Sequence, residues 1–259
     1  MLPKGKKLII KLFSIVAILF FIFSCAEKEF DPNNAEKSFA IAKEPYDDEN
    51  YERAVTRLGE FKSRFPYSQY AIEAELLIAN SYFEQEQFPE AAAAYEQFVK
   101  LHPKHPQLDF AMYRVGDCYW QEAPDSVDKE QEYTEKAVDE WEKLVGKLPQ
   151  SPHAEKAKKL INEGKRRMAE HYNFIAKFYC KQEVYHACAY RYLQLAETFP
   201  QFKDLRINAW KQAADALEKV ADAKAEDPTS DKNLYFKRYT VAEIRKRAAE
   251  IRKQATGGI

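Results

Sequence analysis

Two histidines stand close enough together to be considered as metal ligands, His102 and His105 in the stretch LHPKHPQ. A pair of imidazoles can ligate zinc when the fold fixes both rings beside further ligands. Here Pro103 and Pro106 alternate with the two histidines, and proline excludes a regular helical face. The pattern is more typical of a turn that carries polar rings than of a metal site.

The other residue types with catalytic potential form no recognisable constellation. The sequence contains no phosphate-binding loop, no dinucleotide fingerprint and no nucleophile elbow. Its carboxylates stand beside Lys and Arg at the spacing of solvated helix surfaces. We therefore expect no enzymatic activity, no metal and no bound cofactor. An enzyme whose site a single sequence does not reveal is the alternative from a different functional class.

Cys25 is the one side chain whose surroundings predict a covalent modification. It follows a basic start and an almost unbroken apolar run of twelve residues, Leu12 to Phe23. The run is shorter than the ~20 residues of a transmembrane helix and is typical of a secretory signal. Ile22-Phe23-Ser24-Cys25 resembles a bacterial lipobox, in which the cysteine becomes the first mature residue and carries an N-acyl diacylglycerol group.

Residues 1–24 are thus predicted to be a lipoprotein signal peptide, with Cys25 as the lipidation site. A signal anchor with an incidental cysteine is the alternative. Ala26, rather than Asp, after the cysteine resembles the pattern of lipoproteins sorted to the outer membrane. Each buried CH₂ of the acyl chains contributes ~0.8 kcal/mol to membrane binding. We expect a protein anchored by lipid at the periplasmic face of the outer membrane.

Composition indicates a soluble helical body after this signal. Without residues 1–24 the chain carries 36 basic and 41 acidic side chains, a net charge of about −5. It therefore lacks the general basic field of a nucleic-acid-binding protein. Only seven residues are Gly, and strong helix formers dominate. The predicted fold class is all-α.

A repeat organises this body. Four segments end alike, at Pro66, Pro103, Pro149 and Pro200. Counting back twelve residues from each proline gives a small residue; counting back eight gives a large one. The small residues are Ala54, Ala91, Ala137 and Cys188, and the large ones are Leu58, Tyr95, Trp141 and Tyr192. Three segments carry a further small residue twelve positions earlier: Ala42, Ala79 and Ala176. In the third segment Gly116 takes this role, and an insertion separates it from Ala137.

These columns resemble the tetratricopeptide repeat, in which two antiparallel helices meet at a small residue on each. Proline ends the second helix, since it disfavours the α conformation of the preceding residue. The predicted organisation is a flexible lipid-anchored tether over 25–34, four repeats over 35–200, and a degenerate fifth repeat of capping helices over 201–259. Its last helix is predicted over 234–255. The expected fold is a right-handed stack of ten helices without strands.

Three cysteines follow the predicted signal, Cys118, Cys180 and Cys188, so at least one stays unpaired within the chain. Cys188 occupies a small column and is expected to be buried. A Cys180–Cys188 bridge across one hairpin is possible. However, their unequal distances from the turn are expected to place the two Cα atoms beyond bridging range.

The expected binding surface is the concave face formed by the first helix of each repeat. The positions that line it stand three before, one after and four after the small residue of that helix. They are Phe39, Lys43, Tyr46, Leu76, Asn80, Phe83, Tyr113, Asp117 and Trp120. Five of the nine are aromatic, which suits an extended peptide with aromatic side chains, while Lys43 and Asn80 could hold a carboxylate. Packing of some of these rings beneath the long connections is the alternative.

Two stretches resemble the BamD family, lipoproteins of the outer-membrane β-barrel assembly machinery. In Leu101 to Trp120, six residues match a segment of that family: Pro103, His105, Pro106, Asp109, Tyr113 and Gly116. Met168 to Pro200 resembles the family's fourth repeat, with Glu170, Ala176, Tyr179, Tyr185, Ala187, Arg191 and Pro200 in register. The resemblance covers roughly residues 25–200.

The resemblance implies binding of unfolded barrel precursors and of the POTRA region of a BamA-type protein, with other lipoproteins of the machinery as possible further partners. It implies that Arg191 belongs to the BamA interface; an ion pair with Glu183 or Glu197 is the alternative. The basic residues of the final helix could meet an acidic partner or form a solvated face. The rival function is a periplasmic tetratricopeptide lipoprotein that serves as a scaffold in pilus assembly or cell-envelope division.

Overall fold

The computed structural model describes residues 28–228 and 238–257, and every regular element in these ranges is an α-helix. The ten helices are α1 (Ala35–Asp47), α2 (Tyr51–Arg64), α3 (Gln69–Glu84), α4 (Phe88–Leu101), α5 (Leu108–Glu122), α6 (Glu132–Lys147), α7 (Pro152–Lys181), α8 (Tyr185–Thr198), α9 (Lys203–Glu226) and α10 (Val241–Gly257). The predicted all-α fold is confirmed for the described ranges. The predicted signal peptide and Cys25 lie outside them.

The columns of the repeat form the interior of the helix pairs. The small residues have no exposed surface: Ala42, Ala54, Ala79, Ala91, Ala137, Ala176 and Cys188. The large residues are at most 2% exposed: Leu58, Tyr95, Trp141 and Tyr192. Small side chains let two helix axes approach, and the large side chains one turn away fill the space beside them. The predicted tetratricopeptide-type pairing is confirmed.

The second helix of each of the four pairs ends two residues before its proline. The intervening C-cap residues share one conformation, with φ between −133° and −122° and ψ between 54° and 60°: Phe65, His102, Leu148 and Phe199. This conformation avoids the α region that a following proline disfavours. The predicted role of the prolines is therefore confirmed.

Three of the four helix pairs are joined by the same short turn. Its central residue is a glutamate with positive φ in each case: Glu49 at 60°, Glu86 at 58° and Glu183 at 58°. Positive φ is uncommon outside glycine, so its recurrence shows that the geometry of the pair fixes this turn. The third pair instead has the longer connection 123–131, where the sequence shows an insertion.

The first compact unit comprises residues 28–81 of the described chain, and it shows that the predicted tether is wrong in part. Residues 28–34 are held against α1 and α2 instead of forming a free linker. Phe30 is 5% exposed and belongs to the same apolar cluster as Leu58 and Phe61. The sequence did not predict this docking, because Phe30 lies outside any helix. A single aromatic residue there has no repeating hydrophobic spacing that would mark it as buried.

The second unit comprises the described residues from Tyr82 onwards, in which each helix from α4 to α9 packs on the next. Its longest element is α7, with 30 residues. The first half of α7 shares a cluster with Trp141 of α6 through Ala154 and Ala157, and the second half packs on α8 through Ala169 and Ala176. The helix α7 therefore packs against α6 with its first half and against α8 with its second half.

A disulfide joins Cys180 near the end of α7 to Cys188 in the first turns of α8, with the two Cα atoms 5.0 Å apart. The expectation that these atoms lie beyond bridging range is wrong. The tight turn around Glu183 brings the helix ends together, and 5.0 Å lies within the usual range for a disulfide. Cys118 is the free and buried cysteine of the described chain.

The final helix starts later than predicted, at Val241 rather than residue 234. Thr240 and Glu243 form a reciprocal cap at this point. The Thr240 N–H donates to Glu243 Oε2 over 2.7 Å, and the Glu243 N–H donates to Thr240 Oγ1 over 3.2 Å. Such a capping box satisfies two backbone donors and fixes the start of the helix. Arg245 and Arg252 of α10 pair with Asp222 and Asp215 of α9.

Candidate functional site

The expected concave-face residues of the first unit occupy different environments. Phe39 is 7% exposed, stacks on Tyr70 at 5.2 Å between ring centroids and contacts Phe61 at 5.4 Å. Its ring therefore fills the core, and the expectation that it faces a peptide is wrong. Leu76 is buried as well. Tyr70 lies in the first turn of α3, and only the packing of α3 reveals that this ring covers Phe39.

Lys43, Tyr46 and Asn80 are half-buried. The Nζ atom of Lys43 lies 2.7 Å from Asp47 Oδ1, one helical turn further on. A peptide carboxylate would have to compete with Asp47 for this ammonium group. Tyr46 meets the ring of Tyr51 edge-on at 5.7 Å, so one edge of its ring is already in contact.

In the second unit, Phe83 at the end of α3 lies beneath Arg114 of α5. The Arg114 Cζ atom is 3.6 Å from the centroid of the Phe83 ring. The guanidinium group is held there by Asp117 at 3.1 Å and Glu84 at 3.3 Å. A cation over an aromatic face stabilises the pair by ~0.5–2 kcal/mol, more where water is excluded. Phe83 thus presents a half-buried ring with one charged neighbour, Arg114, over its face.

Tyr113 and Trp120 of α5 both contact Trp141. Their ring centroids lie 6.1 and 5.6 Å from that of Trp141. Burial and the nearby Asp117 raise the pKa of Tyr113, and Arg114 partly offsets the shift. The Cζ atom of Arg167 lies 4.1 Å from the Trp120 ring centroid. Both rings are therefore only partly available to a ligand.

Arg191 lies beside a cavity of about 360 Å³ formed by the start of α6, α7 and α8. The cavity is lined by Glu130, Gln131, Glu132, Glu135, Met168, His171, Tyr172, Ile175 and Arg191. Arg191 Nη1 donates a 3.1 Å hydrogen bond to Gln194 Oε1. Within the described ranges it pairs with neither Glu183 nor Glu197, nor with another carboxylate. His171 Nδ1 lies 2.7 Å from the carbonyl oxygen of Val127 and ties the long connection to α7.

Three exposed aromatic side chains flank the disulfide-linked helices, and the repeat pattern gave no reason to select them. Phe174 and Phe178 lie one turn apart on α7, and Tyr190 lies on α8; their exposed fractions are 44%, 53% and 53%. Their sequence signal is that they fall outside every packing column of the repeat. Large aromatics on a solvated face are typical of interaction surfaces.

The histidines of the LHPKHPQ stretch lie at the turn between α4 and α5. The rings of His102 and His105 both contact Phe98, each at 5.0 Å between centroids. Burial and the neighbouring His102 lower the pKa of His105. Asp109 accepts a 2.6 Å hydrogen bond from Ser151, which joins this turn to the start of α7. Within the described residues, no cluster of three or more His, Cys, Asp or Glu could hold a metal ion.

None of the helices within 28–228 and 238–257 combines the length and apolar character needed to cross a bilayer. The Arg191 cavity and the exposed aromatics of α7 and α8 are features of the described chain that suit contact with other proteins. No group among them is arranged as a nucleophile with its base.

Comparison with known proteins finds relatives among bacterial outer membrane protein assembly factors. The BamD outer membrane protein assembly factor of Neisseria gonorrhoeae is 29% identical over 167 residues, which cover 61% of this chain and 62% of that protein. The chain thus matches less than two thirds of that relative's length. The BamD protein of Vibrio cholerae is 26% identical over 184 residues, covering 64% of this chain and 76% of that protein.

The sequence profile of the YfiO family, described as an outer membrane lipoprotein, matches residues 31–229. This range contains both stretches that resemble the BamD family and all four repeats that end in proline. The chain belongs to the YfiO family of outer membrane lipoproteins, which is the BamD family that its motifs indicate.

Proposed function

We propose that this protein is a non-enzymatic, lipid-anchored component of the machinery that assembles β-barrel proteins in the outer membrane. It acts at the periplasmic face, where it binds unfolded barrel precursors and the POTRA region of a BamA-type partner. Membership of the YfiO family supports the location, and the relatives from Neisseria and Vibrio carry the name of assembly factors.

The observation that carries the proposal is the state of Arg191. Its guanidinium group is half-buried beside an open cavity and has no carboxylate partner in the described chain. A planar guanidinium is suited to bidentate recognition of a carboxylate, and charged groups held in this way form strong hydrogen bonds. An acidic side chain of the partner would complete this pairing, while the glutamates at the cavity rim would accept a basic one.

The proposed precursor site lies on α5 and the adjoining end of α3. It comprises Phe83, Tyr113 and Trp120, all of the second unit. For the first unit taken by itself, we propose Lys43, Tyr46 and Asn80 as peptide contacts. Fixed aromatic rings bind extended chains with little loss of side-chain entropy. The mechanism makes and breaks no bond: the protein raises the local concentration of a precursor near its assembly partner.

The decisive experiment is a pull-down of the tagged, natively lipidated protein from its own membranes in mild detergent, with partners identified by mass spectrometry. Recovery of a POTRA-containing barrel protein in stoichiometric amount is the expected result. Recovery of pilus or division proteins without any barrel partner would overturn the proposed function and favour the scaffold role.

A further inference from the structure

We infer that the chain is clamped to the first helix pair from Lys28 onwards, so that the lipid anchor holds the face of α1 and α2 beside Lys28 against the phospholipid headgroups. This inference rests on the proposed lipidation of Cys25. It replaces a free tether with a short attachment that sets the position of the first unit at the membrane.

Phe30 is the centre of the clamp. Its ring is buried and meets the ring of Phe61 edge-on, with 6.4 Å between centroids. Two guanidinium groups cover the ring: Arg57 Cζ lies 4.1 Å from its centroid and Arg64 Cζ lies 5.2 Å away. Apolar burial and two cations over one ring both oppose release of this residue.

Polar contacts fix the backbone on both sides of Phe30. Arg57 Nη2 donates a 2.6 Å hydrogen bond to the carbonyl oxygen of Lys28, and the Lys28 ammonium pairs with Glu44 of α1. On the other side, Ser38 Oγ donates to the carbonyl oxygen of Asp31 over 2.9 Å. Asn34 then caps α1. The segment 28–34 is therefore held at several points along its length.

The reach of the chain makes this clamp relevant to the membrane. Lys28 is three residues after Cys25, and successive Cα atoms are 3.8 Å apart, so the two Cα atoms are separated by at most ~11 Å. The headgroup layer on each side of a bilayer is roughly 5–7 Å deep. A lipidated Cys25 stands at the inner edge of that layer, so Lys28 must lie within or just above the headgroups.

The surface next to Lys28 has a composition that suits such contact. A cavity of about 420 Å³ opens there, and its lining combines basic, acidic and apolar side chains, among them Lys28, Arg53, Glu44, Asp48 and Ile41. Charges of both signs match a zwitterionic headgroup, which carries an ammonium and a phosphate, better than they match a purely anionic surface. Because Lys28 lies only three residues after the proposed lipid anchor, the occupant that we propose for this face is a phospholipid layer.

The test uses the full-length lipidated protein in vesicles of phosphatidylethanolamine and phosphatidylglycerol. A fluorescent amino acid replaces either Asp48, which lines the cavity beside Lys28, or Tyr67, which lies beyond the opposite end of α2. Energy transfer to a headgroup-labelled lipid is measured for each. We expect transfer from position 48 to exceed that from position 67 several-fold. Equal transfer from the two positions would overturn the inference.

Two further variants separate the clamp from the anchor. A Gly/Ser linker of about 20 residues between Ala26 and Glu27, with a mean end-to-end distance of roughly 25 Å, should reduce transfer from position 48 several-fold. Phe30→Ala should reduce it towards the same value, whereas Leu101→Ala, which removes an exposed apolar side chain of the second unit, should not. Unchanged transfer with the linker or with Phe30→Ala would contradict the clamp.

Failure of the anchor gives a different result from failure of the clamp. A protein that lacks the acyl mass on Cys25 and does not float with the vesicles would remove the proposed anchor and this inference together. A protein that is acylated and floats, but shows weak transfer from position 48, would overturn the clamp alone and leave the proposed function standing.

Discussion

A β-carbon placed on Gly116 would lie 2.5 Å from Nε1 of Trp141, closer than any side-chain carbon can approach. The indole of Trp141 is fully buried and donates a 3.0 Å hydrogen bond to the carbonyl oxygen of Tyr113. Glycine is therefore required on α5 because the tryptophan of α6 lies directly on its backbone. In the third repeat, the large-column residue of the second helix thus lies directly on the small-column residue of the first.

Gly116→Ala should therefore destabilise the second unit. Overpacking costs ~1–3 kcal/mol, which exceeds the gain of up to about 1 kcal/mol from replacing a helical glycine. We expect the free energy of unfolding in urea to fall by about 1 kcal/mol, which is the middle of the overpacking range less the gain. Gly146→Ala on α6 is the matched control, because no atom lies within 4 Å of its added carbon. An equally stable Gly116→Ala protein would show that α6 moves away at little cost.

Phe83→Ala should weaken binding of a peptide that carries the aromatic-ended last strand of a barrel protein. The ring is half-buried and contacts Phe88 and Arg114, so its loss removes a binding surface with little loss of core. An aromatic at the centre of a binding site contributes more than ~1 kcal/mol, which corresponds to a five-fold or larger rise in Kd. Fluorescence anisotropy of a labelled peptide measures it. Tyr133→Ala, on an exposed ring of α6, should leave Kd unchanged.

Trp120→Ala is a poorer test of the same surface. Its ring packs on Trp141 and lies under Arg167, so truncation should cost about 3 kcal/mol of stability as well as any binding energy. A loss of peptide affinity in this variant could not be separated from a change in the helix packing.

A Phe83→Ala protein with unchanged affinity would remove the α3–α5 surface from the precursor site.

Arg191→Glu should reduce recovery of the BamA-type partner in the pull-down by at least ten-fold. Reversal of a buried interfacial charge leaves the partner carboxylate facing a like charge, which costs several kcal/mol. Arg191→Lys keeps the charge but loses the bidentate fork, so it should give an intermediate loss. Arg247→Glu on the exposed face of α10 is the control. Full recovery with Arg191→Glu would exclude this residue from the interface.

Cys118 should make stability fall at alkaline pH. Burial first, and the nearby Asp117, raise the pKa of its thiol from 9.0 to about 12. Between these values the unfolded chain releases the thiol proton and the folded chain keeps it. The contribution of this thiol to the free energy of unfolding is therefore fully present below pH 9. Above pH 9 the contribution declines by at most about 1.4 kcal/mol per pH unit. Urea denaturation at pH 8 and 10 should show a smaller decline for Cys118→Ala.

The elements that the sequence predicted correctly depend on local steric rules. The prolines at 66, 103, 149 and 200 end helices because each constrains the residue before it, and Gly116 was identified by its place in a column. The features that it missed depend on contacts between distant segments. Burial of Phe39 requires Tyr70, docking of Phe30 requires Phe61, and the approach of Cys180 to Cys188 requires the geometry of a turn.

The same distinction applies to the candidate site. Trp120 and Phe83 were selected by counting from a small residue, and both have a ring in partial contact with solvent. The arginines that lie over them, Arg167 and Arg114, come from other positions in the chain and follow no spacing rule. Lys43 was chosen for its charge, but its neighbour Asp47 already neutralises it, which only the side-chain conformation reveals.

The helix contacts of the second unit are nearly all between consecutive helices, and the remaining ones skip a single helix. Chains dominated by such short-range contacts have low contact order and fold in microseconds to milliseconds. If the chain is exported as proposed, each helix pair can form as soon as its own residues have left the translocation channel. Assembly of the stack can then proceed from the N-terminal side without waiting for α10.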